Sequence, residues 1–191
     1  MPEGNDADAP APFEPPSTQL KNVSLEIPAS AVEIPAASKD QYLCLLFDPK
    51  MTETKYIDGL HFVPGNTKIA HHALIYRADR TKVLEQAGGK DVFPCFGNAD
   101  ATLLNAWAPG GMPLELPNDV GIRLGAQDVL VVQMHYHPRT TTETDQSKLQ
   151  MHFGTKMPTW AYITALPGNA KNASKGLLPG EGDTDGVPEF R

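Results

Sequence analysis

Several short stretches of the chain alternate apolar and polar residues with a period of two, the pattern of half-buried strands. Val23, Leu25 and Ile27 alternate with polar neighbours and predict an edge or half-buried strand. Tyr42 to Phe47 is almost continuously apolar and predicts a buried one. Tyr56, Ile57, Leu60, Phe62 and Val63 predict another, closed by the turn Pro64-Gly65-Asn66. Ile69 to Tyr76 follows as a strand with two histidines inside it. Val129 to His137, rich in valine, is the strongest strand signal in the chain. Val120–Leu124, Leu149–Phe153 and Trp160–Thr164 add shorter strands. One short helix is predicted over Lys82–Ala87, stopped by Gly88-Gly89. Ala101 to Trp107 fits either strand or helix, and Pro109 to Pro113 is a loop.

Strands at near-regular spacing, separated by turn signals, predict an all-β fold: an antiparallel, jelly-roll-like β-sandwich of one domain with flexible tails. The sandwich is expected over 19–167. Residues 1–18 hold five prolines and four acids but no base, and read as a disordered lead-in. From Pro167 the chain turns Gly-, Asn-, Lys- and Asp-rich, so 168–191 reads as a linker.

Composition narrows the function. A length of 191 residues suits one domain. A net charge of −7 argues against a nucleic-acid groove and against an anionic membrane surface. No run approaches the roughly 18 apolar residues of a membrane span. The first residues lack a basic start and an apolar run, so the sequence fits both a chain kept inside the cell and a mature chain. Cys44 and Cys95 both have apolar neighbours, and one bridge or two buried thiols are both compatible with that. Asn22-Val-Ser24 and Asn172-Ala-Ser174 fit the glycosylation sequon, a triplet common by chance.

The main chemical signal is histidine. Of six, four fall in two tight clusters, His71-His72 and His135-Tyr136-His137, each on a predicted strand. Strand alternation puts His135 and His137 on one face and Tyr136 on the other. Adjacent His71 and His72 should point to opposite faces, so both can reach one ion only at a bulge, a twist or a strand edge. The acids nearest in sequence are Asp79, Asp128 and Glu143, none close to either cluster. Imidazoles without a carboxylate favour copper or zinc over harder ions. His61 and His152 stand alone and read as structural.

Five segments occur in an order that resembles a known family: Tyr42-Leu-Cys44, Ala70-His-His-Ala-Leu-Ile75, Asn105-Ala-Trp-Ala-Pro-Gly110, Leu116-Pro-Asn-Asp-Val-Gly-Ile-Arg-Leu-Gly125 and Val131-Val-Gln-Met-His-Tyr-His137. They resemble the N-terminal domain of the copper type II, ascorbate-dependent monooxygenases. The resemblance implies an eight- or nine-stranded sandwich. It implies one copper ion held by His71, His72 and His135, with ascorbate as reductant. His137 matches a position that is histidine in some members, which implies a supporting or structural place. Tyr136 and Met134 are further candidates for support, although strand alternation points Met134 away from His135, toward core packing. It pairs Cys44 with Cys95 in a disulfide, and so implies an extracytoplasmic protein, periplasmic or secreted.

The family's second copper domain carries a His-X-His pair and a methionine, but beyond Pro167 this sequence has neither histidine nor methionine. The expectation is therefore the electron-supplying half of a monooxygenase, inactive alone, whose partner is a second copper-bearing β-sandwich domain. A free-standing extracytoplasmic copper-binding or electron-transfer module is the alternative. A zinc or cupin-like enzyme would use His135 and His137 with Glu143 and His152, whose spacing departs from that pattern.

Overall fold

In chain order the strands are β1 (Leu25–Pro28), β2 (Val32–Ile34), β3 (Gln41–Phe47), β4 (Lys55–Val63), β5 (Ala70–Asp79), β6 (Val92–Pro94), β7 (Thr102–Trp107), β8 (Leu114–Glu115), β9 (Val120–Leu124), β10 (Asp128–Tyr136), β11 (Glu143–Asp145), β12 (Lys148–Phe153) and β13 (Trp160–Ala161). Among the described residues one helix, α1 (Arg80–Ala87), stands between β5 and β6. The computed structural model describes residues 17–95, 101–154 and the backbone of 160–161. Most of the expected lead-in and all of the expected linker, with the second sequon, lie outside the described residues.

The strands form a six-stranded sheet in the order β1-β12-β4-β9-β13, with β8 also on β4. A five-stranded sheet runs β6-β3-β10-β5-β7, and β11 pairs with β2 alone. All pairings are antiparallel except β13 with β9, which is parallel. The all-β sandwich expected from sequence is present. The described residues hold more strands than the eight or nine implied, because several are pairings of two or three residues. Within Ala101–Trp107, ambiguous by pattern, Thr102–Trp107 is strand β7, on the edge of β5.

The inward faces of the two large sheets share one core. Ile57, Leu60, Phe62, Ile122, Leu149 and Met151 from one sheet meet Leu45, Phe47, Ile75, Leu130, Val132 and Met134 from the other. Burying each such side chain contributes roughly 1.5–3 kcal/mol. A second, smaller cluster lies on the outer face of the five-stranded sheet, where Val83 and Ala87 of α1 cover Cys44, Ala78, Phe93, Val129 and Val131. The helix starts because Asp79 caps it, accepting from the backbone N–H of Thr81 and Lys82 at 2.9 and 3.2 Å. It stops at Gly88, which adopts φ 58°.

A buried carboxylate pins the end of β10. Asp145 is 1% exposed and accepts from the Tyr136 hydroxyl at 2.8 Å, the Ser147 hydroxyl at 2.7 Å and the Asn66 N–H at 2.7 Å. Burial, with the neighbouring Asp145 charge and hydrogen bond, pushes the Tyr136 phenol well above its usual range, so it stays a donor. Gly65 permits this turn: a Cβ there would lie 2.5 Å from the Gln146 backbone carbonyl.

His61 and His152 lie on the six-stranded sheet. His152 pairs with Asp58 at 2.5 Å. His61 is 8% exposed, and its Nδ1 has no hydrogen-bond partner among the described residues. Burial lowers its pKa below 6.5, against a weaker opposing effect of its hydrogen bond with Gln150. A depressed folded pKa means that the unfolded chain binds the proton more readily. The stability held above about pH 6.5 is therefore lost as pH falls through that value. Urea titrations at pH 7.5 and 5.5 are expected to show a smaller loss in His61→Leu than in wild type. Equal losses would remove His61 from the acid response.

Candidate metal centre

β5 and β10 lie side by side, and their ladder runs regularly from Asp128 opposite Asp79 to His135 opposite His72. The partner of Tyr136 is then Ala70, so His71 is the extra residue of a β-bulge. The flanking residues explain it. Ala70, Ala73, Met134 and Tyr136 all belong to the core. Regular alternation from Ala73 would send His71 inward and Ala70 outward. The extra residue returns Ala70 to the core and turns His71 out beside His72. The bulge that the adjacent pair required is thus in place.

Three rings meet there. His72 Nδ1 lies 3.0 Å from His71 Nδ1 and 3.4 Å from His135 Nδ1. An ion with bonds of about 2.0 Å to nitrogen sets neighbouring ligand atoms about 2.8 Å apart at right angles and about 3.5 Å apart at 120°. Both of these spacings fall in that range. Among the described residues, this is the one group of three or more His, Cys, Asp or Glu side chains close enough to hold an ion, with ligand atoms within 4.8 Å. His71 is exposed, His72 half-buried and His135 buried.

The chemistry of the donors fits a metal as well as the spacing does. His135 Nε2 lies 3.0 Å from Asp40 Oδ2. An ionised carboxylate only accepts, so Nε2 carries the hydrogen and Nδ1 turns its lone pair to the cluster. The hydrogen bond from His135 is the largest of the influences that hold the Asp40 carboxyl below its usual range. Tyr42, opposite His135 in the ladder, stacks on its ring at 4.4 Å between centroids and 6° between planes. Burial, then the neighbouring His135 and His71, lowers the pKa of His72 and keeps it in the neutral form that ligates.

Other residues singled out from sequence fall elsewhere. Met134 and Tyr136 face the core, on the opposite side of β10 from the rings. Tyr136 is held there by the hydrogen bond from its hydroxyl to Asp145. His137 is 69% exposed in its side chain, and its Nδ1 meets Asp40 Oδ1 at 3.0 Å. Glu143 bonds Asn66 and Thr141, Asp79 caps α1, and Asp128 accepts from the Gly125 N–H. His152 is on the other sheet, so the cupin-like grouping is not assembled. Sequence reasoning missed Asp40. It lies 95 residues from His135 along the chain, and only the pairing of β3 with β10 brings it near.

Cys44 and Cys95 form a disulfide with Cα atoms 5.6 Å apart. It ties β3, which carries Tyr42, to the segment after β6. No helix among the described residues is long and apolar enough to cross a membrane.

Compared with known families, residues 25–143 match the copper type II ascorbate-dependent monooxygenase, N-terminal domain. That span is more than half of the chain, and it contains all three clustered histidines, Asp40, Tyr42 and both cysteines. The chain belongs to the copper type II ascorbate-dependent monooxygenase family, matching its N-terminal domain.

Proposed function

We propose that His71, His72 and His135 hold one copper ion through their Nδ1 atoms, and that this domain is the electron-supplying half of an ascorbate-dependent monooxygenase. The observation that carries the reading is the convergence of three Nδ1 atoms at the bulge. When bound, copper would supply one-electron chemistry with ascorbate as the source.

The chain's own residues prepare for that role. Three neutral imidazoles bring no negative charge to the ion, which suits the lower oxidation state. Exposed His71 leaves one side of the cluster open to a small reductant. Asp40 and Tyr42 hold the buried ring of His135 still. Hydroxylation of a C–H bond belongs, in this reading, to a second copper-bearing β-sandwich domain. The disulfide supports an extracytoplasmic setting, where such bridges persist.

Copper titration followed by electron paramagnetic resonance tests the proposal. One equivalent of Cu(II) per chain is expected, with nitrogen coordination and a signal that ascorbate bleaches. Uptake far below one equivalent, or a signal that survives excess ascorbate, rules the reading out.

A further inference from the structure

Asp40 stands at the junction of two histidines, only one of which belongs to the cluster. Its Oδ2 lies 3.0 Å from His135 Nε2 and its Oδ1 lies 3.0 Å from His137 Nδ1. The side chain of His135 is 10% exposed, that of His137 69% exposed. One carboxylate thus connects a buried ring at the centre to an exposed ring at the rim. His137 follows the last residue of β10, and its own N–H donates to the Ile69 carbonyl at 2.8 Å. That bond holds His137 beside the start of β5, just before the bulge.

A neutral imidazole has one N–H and one lone pair, and the partner of either nitrogen decides which is which. Without an acceptor at Nε2, the hydrogen of His135 can move to Nδ1 and point at His72 Nδ1, 3.4 Å away. His135 would then donate to the cluster instead of offering it a lone pair. Outer partners that settle this choice typically contribute 10–100-fold in metal affinity.

We propose that Asp40 is the positioning residue of the centre, fixing His135 in the Nε2–H form, and that His137 acts as the anchor of Asp40 and not as a ligand. The proposal rests on the copper reading above and adds to it an assignment for two residues outside the ligand set.

The tautomer of His135 can be read without metal by long-range ¹H–¹⁵N correlation on the whole chain. Wild type is expected to show the Nε2–H form alone. Asp40→Ala is expected to give a mixture with the Nδ1–H form and a copper affinity roughly 10–100-fold lower, measured by competition with a chelator. Asp40→Asn keeps an acceptor oxygen, so it should retain the wild-type tautomer and lose less affinity. That rescue separates an orienting bond from general disturbance of the fold, which backbone spectra of each variant monitor independently.

His137→Ala is expected to lower affinity a few-fold in the wild-type background and not at all in Asp40→Ala, since the two act in series. An unchanged tautomer in Asp40→Ala overturns the proposal. So does an Asn variant as impaired as the Ala variant, or a His137→Ala loss as large as that of His72→Ala. Failure of the wild-type chain to take up copper overturns the copper reading instead, and the metal-free tautomer still decides the role of Asp40.

Discussion

His72→Ala is expected to weaken copper binding by more than the roughly 100-fold that bounds the effect of a supporting residue. His72 has this weight because its Nδ1 lies within 3.4 Å of the Nδ1 atoms of both other rings. Its removal leaves a two-imidazole site, His71 and His135, whose ring centroids lie 4.8 Å apart. The fold should survive. His72 is half-buried on the outer face and lies outside the core, and alanine fits an interior strand position without changing the ladder. Chelator competition gives the affinity, and thermal unfolding of the metal-free proteins checks that stability has moved little. Binding within a few-fold of wild type would remove His72 from the ligand set and with it the three-imidazole centre.

The second large effect concerns the disulfide. Cys44 and Cys95 are 51 residues apart, and closing such a loop removes about 4 kcal/mol of chain entropy from the unfolded state. Domains of this kind are stable by about 5–15 kcal/mol, so the double Cys→Ala variant is expected to lose a large share of its stability. A melting temperature lower by roughly 10 °C is the corresponding shift. The loss should also reach the centre. Cys95 donates its backbone N–H to the Tyr42 carbonyl at 3.3 Å, and Tyr42 is the residue stacked on His135. Denaturant titration of the oxidised wild type beside the variant measures the first effect, and copper affinity the second. A loss under 1 kcal/mol would mean that the unfolded chain is already constrained between these two positions.

The parts legible in the sequence share a physical reason. β3, β5 and β10 are apolar or β-branched runs of seven residues or more, and α1 ends at a glycine pair, so each is legible where it stands. β2, β6, β8 and β11 span two or three residues, too few for alternation to be visible. The ladder from Thr102 to Trp107 is hidden because its pattern suits two structures, and the edge of β5 decides between them. The centre divides in the same way. Adjacent histidines on a strand demand a bulge if they are to meet, and that requirement follows from alternation alone. Whether the two cysteines pair, and which three histidines gather, is implied only by resemblance to a family. Asp40 was invisible to both routes. Acids beside the clustered histidines in sequence are absent, whereas a carboxylate reaches an imidazole through the fold, from Asp40, which merely precedes the neighbouring strand.

The bulge at His71 also separates two kinds of change that usually travel together. Core residues on either side of it keep the positions that a regular ladder would give them: Ala70 and Tyr136 face each other inward, and His72 faces His135 outward. A chain lacking only residue 71 would therefore present the same two sheets, the same core and one imidazole fewer. The capacity to gather three rings is set by strand length at a single point, independently of the apolar pattern that makes the sandwich. A centre of this kind can be gained or lost by insertion or deletion of one residue in an otherwise unaltered β protein.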